Sequence, residues 1–254
     1  MRAASLRFLS VLFAGLALQF ALPALGAESV AFPNAAGETV GGFLARPDGA
    51  GPFPAVALLH SCLGLPSNRS AIEAALADAG FVALFVDEFS GRGLKDTCTV
   101  DFPAVAADAA GALAYLARRP DVDPERVAVV GFSQGGDGAL AAAASPAAAD
   151  GLAFRAAAAF YPPCANESGR RLRIPTLVLI GEKDTVTPPA DCRRLVEGQA
   201  NARLIVVPGA AHCFDDPAFA GGKRVLGMTL RYDPAAARQA MAKLIAFLED
   251  ALRR

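Results

Sequence analysis

The sequence predicts an α/β fold: a mostly parallel sheet with helices on both faces and an antiparallel hairpin at its N-terminal edge. Uninterrupted apolar runs at 55–60, 81–87 and 126–131 are typical of strands that are buried on both faces. Between such runs lie segments whose apolar residues recur three and four positions apart, as they do in helices. Strands that alternate with helices form parallel sheets. No repeat or linker divides the chain, so we expect one domain after an N-terminal leader.

The predicted elements alternate regularly along the chain. Strands are expected at 29–34, 40–46, 55–60, 81–87, 126–131, 156–161, 176–180 and 203–207. The first two flank the turn residues Gly37 and Glu38 and form the edge hairpin. Helices are expected at 68–79, 101–119, from 134 onwards, at 188–198 and after 233. Asn68 and Asp233 are predicted to cap the first and the last of these helices.

Composition excludes two broad classes of protein. The 254 residues include 24 Lys and Arg against 25 Asp and Glu, which gives a net charge of −1. This balance provides no basic surface for nucleic acid, so no nucleic-acid partner is expected. Hydrophobic residues make up 54% of the chain, which is too many for a disordered protein.

The first 27 residues have the layout of a secretory signal peptide. Two arginines give a basic start, and a largely apolar run follows over 8–22. This run is shorter than the roughly 20 residues that span a bilayer as a helix. We predict cleavage after Ala27, with 24–26 as the other exit, and an uncleaved membrane anchor remains the alternative. The domain 28–254 is then expected to be exported, periplasmic or secreted, without stable membrane insertion.

Five cysteines lie in the predicted mature chain: Cys62, Cys98, Cys164, Cys192 and Cys213. In an oxidising compartment some of them should form disulfides. The pairs Cys62–Cys98 and Cys164–Cys192 would join loops that follow strands, and the odd number leaves at least one cysteine over. The alternative is that these are small buried apolar residues. No C-x-x-C spacing occurs, which argues against a zinc ribbon or a redox motif.

One motif indicates the chemistry. Gly131-Phe-Ser133-Gln-Gly135 follows an apolar strand and opens a helix. A G-x-S-x-G sequence at such a turn forms a nucleophile elbow, which presents the serine oxygen above the edge of the sheet. The helix N-terminus behind the serine favours the negative charge that develops in acyl transfer. Ser133 is therefore the predicted nucleophile.

A serine nucleophile needs a base and an acid that orients the base. In chains with this elbow the order is serine, acid, histidine. Of the two histidines, only His212 lies downstream of Ser133, in a loop after the last predicted strand. The acid should follow the preceding strand, where Asp184 is the first choice and Glu182 and Asp191 are the alternatives.

Two backbone N–H groups should stabilise the oxyanion. One belongs to Gln134, directly after the nucleophile, and Cys62 in the loop after the 55–60 strand is the candidate for the other. His60 is expected to order this loop by hydrogen bonds rather than to act as the base. Cys62 and Cys213 do not lie on an elbow, so neither is expected to be the nucleophile.

Three further features are candidates for the substrate pocket. Tyr161 and Phe89 follow strands and could line it, although core packing explains both equally well. The stretch 215–232 is rich in glycine, shows no clear periodicity and is expected to border the pocket.

The elbow, the segments 181–188 and 208–214 and the 60–64 loop resemble the dienelactone hydrolase family of α/β-hydrolases, in its exported serine-nucleophile form. The resemblance covers most of the mature chain. It implies hydrolysis of an ester or lactone through an acyl-enzyme, without metal or cofactor. Well-known members use a cysteine nucleophile, carry an acid where Ser61 stands and clamp a substrate carboxylate with two arginines. Arg92 could supply one of these, whereas Asp215 and Asp216 occupy the place expected for the other.

These observations together predict a serine hydrolase that cleaves a small-molecule carboxylic ester or lactone. Two alternatives stay open at the level of sequence. The same three residues serve acyltransferases and peptidases, because the choice of acceptor lies in the shape of the pocket. A catalytically silent member of the fold that binds a ligand is the other alternative.

Overall fold

The computed structural model describes residues 27–100, 102, 104–147 and 151–253. The predicted signal peptide lies outside these residues except for Ala27. The main sheet comprises β1 (Glu28–Pro33), β2 (Thr39–Ala45), β3 (Phe53–Leu59), β4 (Val82–Asp87), β5 (Val122–Phe132), β6 (Ala156–Phe160), β7 (Thr176–Gly181) and β8 (Ala202–Val207). Its strand order is β1-β2-β4-β3-β5-β6-β7-β8.

The pairing directions confirm the predicted fold class. Strands β3 to β8 pair in parallel, while β1 and β2 form an antiparallel hairpin at the edge. The hairpin joins the sheet through antiparallel pairing of β2 with β4. Because the strands from β3 onwards run in one direction, their carboxyl ends lie along one edge, and loops from several strands meet there.

Helices alternate with strands along the chain and pack against the sheet. They are α1 (Arg69–Asp78), α2 (Val105–Ala117), α3 (Gln134–Ala144), α4 (Pro189–Val196) and α5 (Pro234–Ala251). The side chain of Asp233 accepts hydrogen bonds from the backbone N–H groups of Ala235 and Ala236, which confirms the predicted cap of α5. Leu244 and Leu248 of α5 face the core, since both are fully buried.

Two expectations about helix ends were wrong. The α2 helix begins at Val105, not at 101, and Asp101 lies outside the described residues. The side chain of Asn68 does not cap α1. Its Nδ2 donates instead to the carbonyl oxygen of Asp215 at 2.8 Å, so the side chain is used in a contact between distant segments.

The stretch 215–232 contains structure that its sequence did not reveal. It holds a short 3-10 helix at Pro217–Phe219 and a small hairpin of β9 (Lys223–Val225) and β10 (Met228–Leu230). Strands of three residues are too short to show an alternating pattern, which explains why they were missed.

Both predicted disulfides are present. Cys62 is bonded to Cys98, and Cys164 is bonded to Cys192. Cys213 is a buried free thiol. No helix in the described part of the chain is both long enough and apolar enough to cross a membrane.

Candidate active site

Ser133 lies in the tight turn between β5 and α3, with a backbone φ of 53°. This left-handed conformation is strained for a serine and is typical of a nucleophile elbow. The turn requires its glycines. A Cβ atom at Gly131 would lie 1.9 Å from the carbonyl oxygen of Gly135, and one at Gly135 would lie 2.4 Å from that of Leu59.

The structure brings together the three residues predicted to form the triad. The Oγ of Ser133 lies 3.0 Å from Nε2 of His212, and Nδ1 of His212 lies 2.8 Å from Oδ2 of Asp184. His212 and Asp184 are buried, whereas Ser133 keeps 9% of its surface exposed. With the proton on Nδ1, the imidazole donates to the carboxylate and its Nε2 can accept from the serine hydroxyl.

The carboxylate of Asp184 is held by its own loop. Its Oδ1 accepts hydrogen bonds at 2.9 Å from the backbone N–H groups of Val186 and Thr187. The hydroxyl of Thr187 donates to Oδ2 at 3.0 Å and lies 3.3 Å from Nδ1 of His212. Sequence reasoning did not single out Thr187. A threonine three residues after a candidate acid is a signal that could have identified it, because such residues close tight turns.

The two alternative acids occupy other places. Glu182 accepts a hydrogen bond from the backbone N–H of Gly209 at 2.8 Å, so it fastens the histidine loop from outside. Asp191 belongs to α4 and pairs with Arg194 one turn later. In the described part of the chain, no hydrogen bond or ion pair joins either carboxylate to the ring of His212, whose polar partners are Ser133, Asp184 and Thr187.

The two candidate oxyanion donors are available for bonding. In the part of the chain that the structure describes, no hydrogen bond uses the backbone N–H of Cys62 or of Gln134. A hydrogen bond connects the segments that carry them, since the N–H of Gly135 donates to the carbonyl oxygen of His60 at 3.1 Å.

His60 is buried behind the loop that carries Cys62. Its Nδ1 lies 2.8 Å from the carbonyl oxygen of Ser61, and its Nε2 accepts from the backbone N–H of Glu88 at 3.2 Å. Burial lowers the pKa of His60 to about 4, so the ring is neutral near pH 7. Phe89 packs edge-on against this ring instead of lining the pocket. These contacts agree with the expected ordering role of His60.

A cavity of about 210 Å³ adjoins the triad. Its lining includes neighbours of the site residues, such as Ser61, Phe132 and Cys213. The remaining lining residues are Leu63, Gly64, Leu65, Pro66, Ser67, Tyr161, Asp216, Ala218 and Phe219. The walls are mostly apolar, and the charged side chain among them is a carboxylate.

Tyr161 links the cavity to the histidine loop. Its ring centre lies 4.6 Å from that of His212, and its hydroxyl donates to Oδ1 of Asp215 at 2.6 Å. Burial raises the pKa of Asp215 to about 6 and also raises the pKa of Tyr161. Burial likewise raises the pKa of the Cys213 thiol, which makes this group a poor nucleophile.

Arg92 lies apart from this arrangement. Its guanidinium group forms two hydrogen bonds with the buried carboxylate of Asp108, at 2.7 and 2.9 Å, and a third with Glu38. The hydrogen bond to Asp108 is the main cause that raises the pKa of Arg92. Arg92 does not line the cavity in the described structure, so its contacts give no support to the substrate-binding role expected for it.

Among the described residues, no group of three or more His, Cys, Asp or Glu side chains is arranged to hold a metal ion.

Comparisons with known proteins identify the family of the chain. The sequence model of the dienelactone hydrolase family matches residues 40–252. A protein from Bradyrhizobium named "Probable 2-oxo-3-(5-oxofuran-2-ylidene)propanoate lactonase" is 29% identical over 203 residues, which cover 71% of this chain and 81% of that protein. A Mycobacterium tuberculosis protein of uncharacterised function is 30% identical over 218 residues, covering 77% and 75% of the two chains.

Solved structures share the fold. The dienelactone hydrolase from Anabaena variabilis superposes with a TM-score of 0.68 at 21% identity, over 90% of this chain and all of that one. Esterase 2 from Thermogutta terrifontis superposes with a TM-score of 0.69 at 19% identity, over 93% of this chain and 99% of that one. The family match covers most of the chain, so this protein belongs to the dienelactone hydrolase family and is a hydrolase of carboxylic esters or lactones.

Proposed function

We propose that this hydrolase cleaves its ester or lactone through an acyl-enzyme on Ser133, with His212 as the base and Asp184 as the acid that orients it. The continuous chain of hydrogen bonds from Ser133 Oγ through the imidazole to Asp184 carries the proposal, with distances of 3.0 and 2.8 Å. A serine hydroxyl is a weak nucleophile at neutral pH, and an adjacent oriented base activates it.

The reaction has two halves. Ser133 Oγ attacks the carbonyl carbon while its proton passes to Nε2 of His212, and the oxyanion accepts hydrogen bonds from the N–H groups of Cys62 and Gln134. The carbon–oxygen bond then breaks, and the imidazolium gives its proton to the leaving alcohol. A water molecule repeats the sequence on the acyl-enzyme, which releases the acid and restores the serine.

The cavity beside the triad favours an uncharged substrate group. Its walls are mostly apolar and their charged side chain is Asp216, so it suits the acyl or alcohol part of a small ester or lactone. A substrate carboxylate at this place would meet a carboxylate instead of an arginine. Tyr161 lines the cavity, and its ring centre lies 4.6 Å from that of His212, so it is proposed to contact the substrate.

Two measurements on the purified mature protein test the proposal. A fluorophosphonate probe should label Ser133, and short-chain p-nitrophenyl esters should be turned over. The Ser133→Ala variant should lose labelling and most of the turnover, by several orders of magnitude in kcat. A wild-type protein that neither reacts with the probe nor hydrolyses esters and lactones would contradict the proposal.

We also propose that residues 1–27 direct the protein out of the cytoplasm and that 28–254 is the exported enzyme. The two disulfides support this, because such bonds persist in oxidising compartments. N-terminal sequencing of the protein from the periplasm or the medium should begin at Glu28. Recovery of the full-length chain from the cytoplasm with reduced cysteines would contradict export.

A further inference from the structure

Thr97 contacts both residues that supply the proposed oxyanion donors. It is buried, with 2% of its surface exposed. Its backbone N–H donates to the carbonyl oxygen of Cys62 at 2.8 Å. Its hydroxyl donates to Oε1 of Gln134 at 2.7 Å. Thr97 thus connects the loop after β3, through its backbone, with the first residue of α3, through its side chain.

The next residue strengthens this connection. Cys98 forms a disulfide with Cys62, so Cys62 is held through its carbonyl by Thr97 and through its side chain by Cys98. The backbone N–H of Cys62 takes part in no hydrogen bond within the described structure and is free to serve the substrate.

The segment that carries these two residues has no regular secondary structure. A loop of this kind is not fixed by a helix or strand, so its place depends on specific contacts. The hydrogen bonds of Thr97 and the disulfide of Cys98 are made with the two donor residues, so this segment can hold them relative to each other.

We propose that Thr97 is a positioning residue that sets the distance between the two oxyanion donors, and that the Cys62–Cys98 disulfide locks this distance. The inference rests on the proposed function, because it assigns a role to the surroundings of that site. Oxyanion donors act only when they lie about 2.7–3.1 Å from the developing charge, so a small displacement weakens them. Since the charge develops in the transition state, the loss falls on kcat and not on KM.

The first test compares Thr97→Val with Thr97→Ser. Valine removes the hydroxyl while keeping similar size, and serine keeps the hydroxyl. Thr97→Val should lower kcat for p-nitrophenyl butyrate by about tenfold or more. KM should stay within about twofold of the wild-type value. A trifluoromethyl ketone mimics the tetrahedral intermediate, so the affinity of Thr97→Val for it should fall by a factor similar to that of kcat. In Thr97→Ser both kcat and this affinity should stay near the wild-type values.

Two outcomes of that test would overturn the inference. One is a Thr97→Val protein with wild-type kcat and inhibitor affinity. The other is a loss of kcat that Thr97→Ser does not restore, which would mean that the hydroxyl is not the cause. Either result leaves turnover by the wild-type enzyme and labelling of Ser133 intact, so it is distinguishable from failure of the proposed function.

The second test uses the disulfides and does not depend on the folding of the Thr97 variant. The double variant Cys62→Ser/Cys98→Ser keeps the backbone N–H of residue 62 but loses the disulfide bond that holds this residue. The matched control is Cys164→Ser/Cys192→Ser, because the two bonds span 36 and 28 residues and should constrain the unfolded chain almost equally. Both variants should lose similar thermal stability, whereas kcat should fall only in the first. Equal kcat in the two variants would overturn the locking role.

Discussion

Gly181 and Ala210 approach each other so closely that a Cβ atom at position 181 would lie 2.4 Å from the carbonyl oxygen of Ala210. Gly181 ends β7 and precedes the loop of Asp184, and Ala210 precedes His212. The loops that carry the acid and the base are therefore in contact at this glycine. Any side chain there has to push the two loops apart.

The Gly181→Ala variant tests this dependence. Displacing the histidine loop should lengthen the hydrogen bond between His212 and Asp184, and we expect kcat to fall by about tenfold or more. Ester turnover measures kcat, and thermal unfolding measures any loss of stability that the displaced loop causes. Gly41→Ala is the matched control, since the added Cβ would meet only the Cβ of Asp87 at an ordinary 3.8 Å. Equal kcat values in the two variants would contradict the dependence.

Exchange of the acid distinguishes Asp184 from the two alternatives that the sequence left open. Asp184→Asn removes the charge that stabilises the imidazolium and disfavours the required tautomer. We expect kcat to fall by about 10³-fold to 10⁴-fold. Glu182→Gln and Asp191→Asn are the controls and should stay within a few-fold of the wild type, because neither residue contacts the imidazole. A control variant with the loss expected for Asp184→Asn, together with an Asp184→Asn variant of wild-type kcat, would transfer the role to that residue.

Features that a local sequence motif or the alternation of strands and helices determines could be predicted. The elbow around Ser133 could be predicted because a short G-x-S-x-G motif between a strand and a helix defines its own geometry. The fold class could be predicted because alternating buried strands and helices allow few arrangements. Both disulfide pairs were also predicted, since their cysteines follow strands that end at the same edge of the sheet.

Contacts between distant segments could not be predicted in this way. Arg92 looks like a free cation in the sequence, but Asp108 holds it through an ion pair that depends on the packing of α2. Asn68 looks like a helix cap, but its side chain bonds to the carbonyl of Asp215, 147 positions away. Thr97 offers no local signal because the partners of its backbone and side chain come from two other loops.

The charge of the cavity predicts a substrate preference. Asp216 lines the cavity and accepts hydrogen bonds from the hydroxyl and the backbone N–H of Ser67 and from the N–H of Ala218. An anionic substrate group would be repelled there, because juxtaposed like charges are unfavourable. We expect p-nitrophenyl valerate to have a kcat/KM at least about tenfold above that of mono-p-nitrophenyl glutarate, which carries a terminal carboxylate.

The Asp216→Asn variant serves as the control for this preference. It should narrow the ratio between the two esters by raising the relative kcat/KM of the carboxylate ester. The ratio is the useful measure, since the loss of hydrogen bonds around residue 216 affects both esters alike. A wild-type preference for the glutarate would show that a cation elsewhere receives the carboxylate.

Asp215 predicts a pH dependence of stability. Burial raises its pKa from 3.8 to about 6, so the folded protein holds this proton over a range in which the unfolded chain has lost it. Below about pH 4 Asp215 is protonated in both states and does not lower the stability. As the pH rises through 6 the free energy of unfolding falls by up to about 3 kcal/mol, because ionised Asp215 is buried. Asp215→Asn removes this titration while its Oδ1 can still accept from Tyr161. The variant should therefore gain stability relative to the wild type between pH 4 and pH 7.

Only the difference in the free energy of unfolding between the wild type and Asp215→Asn isolates the contribution of Asp215. His60 titrates over the same range with the opposite effect, because its pKa of about 4 lies below its ordinary value of 6.5. The folded state then loses stability as the pH falls from about 6.5 to 4, because His60 binds a proton in the unfolded chain over this range but not in the folded protein. This contribution is common to the wild type and to Asp215→Asn, so it cancels in the difference. Denaturant unfolding at pH 4.5 and pH 7 measures that difference, and a value that does not change with pH would show that Asp215 is ionised in the folded protein throughout.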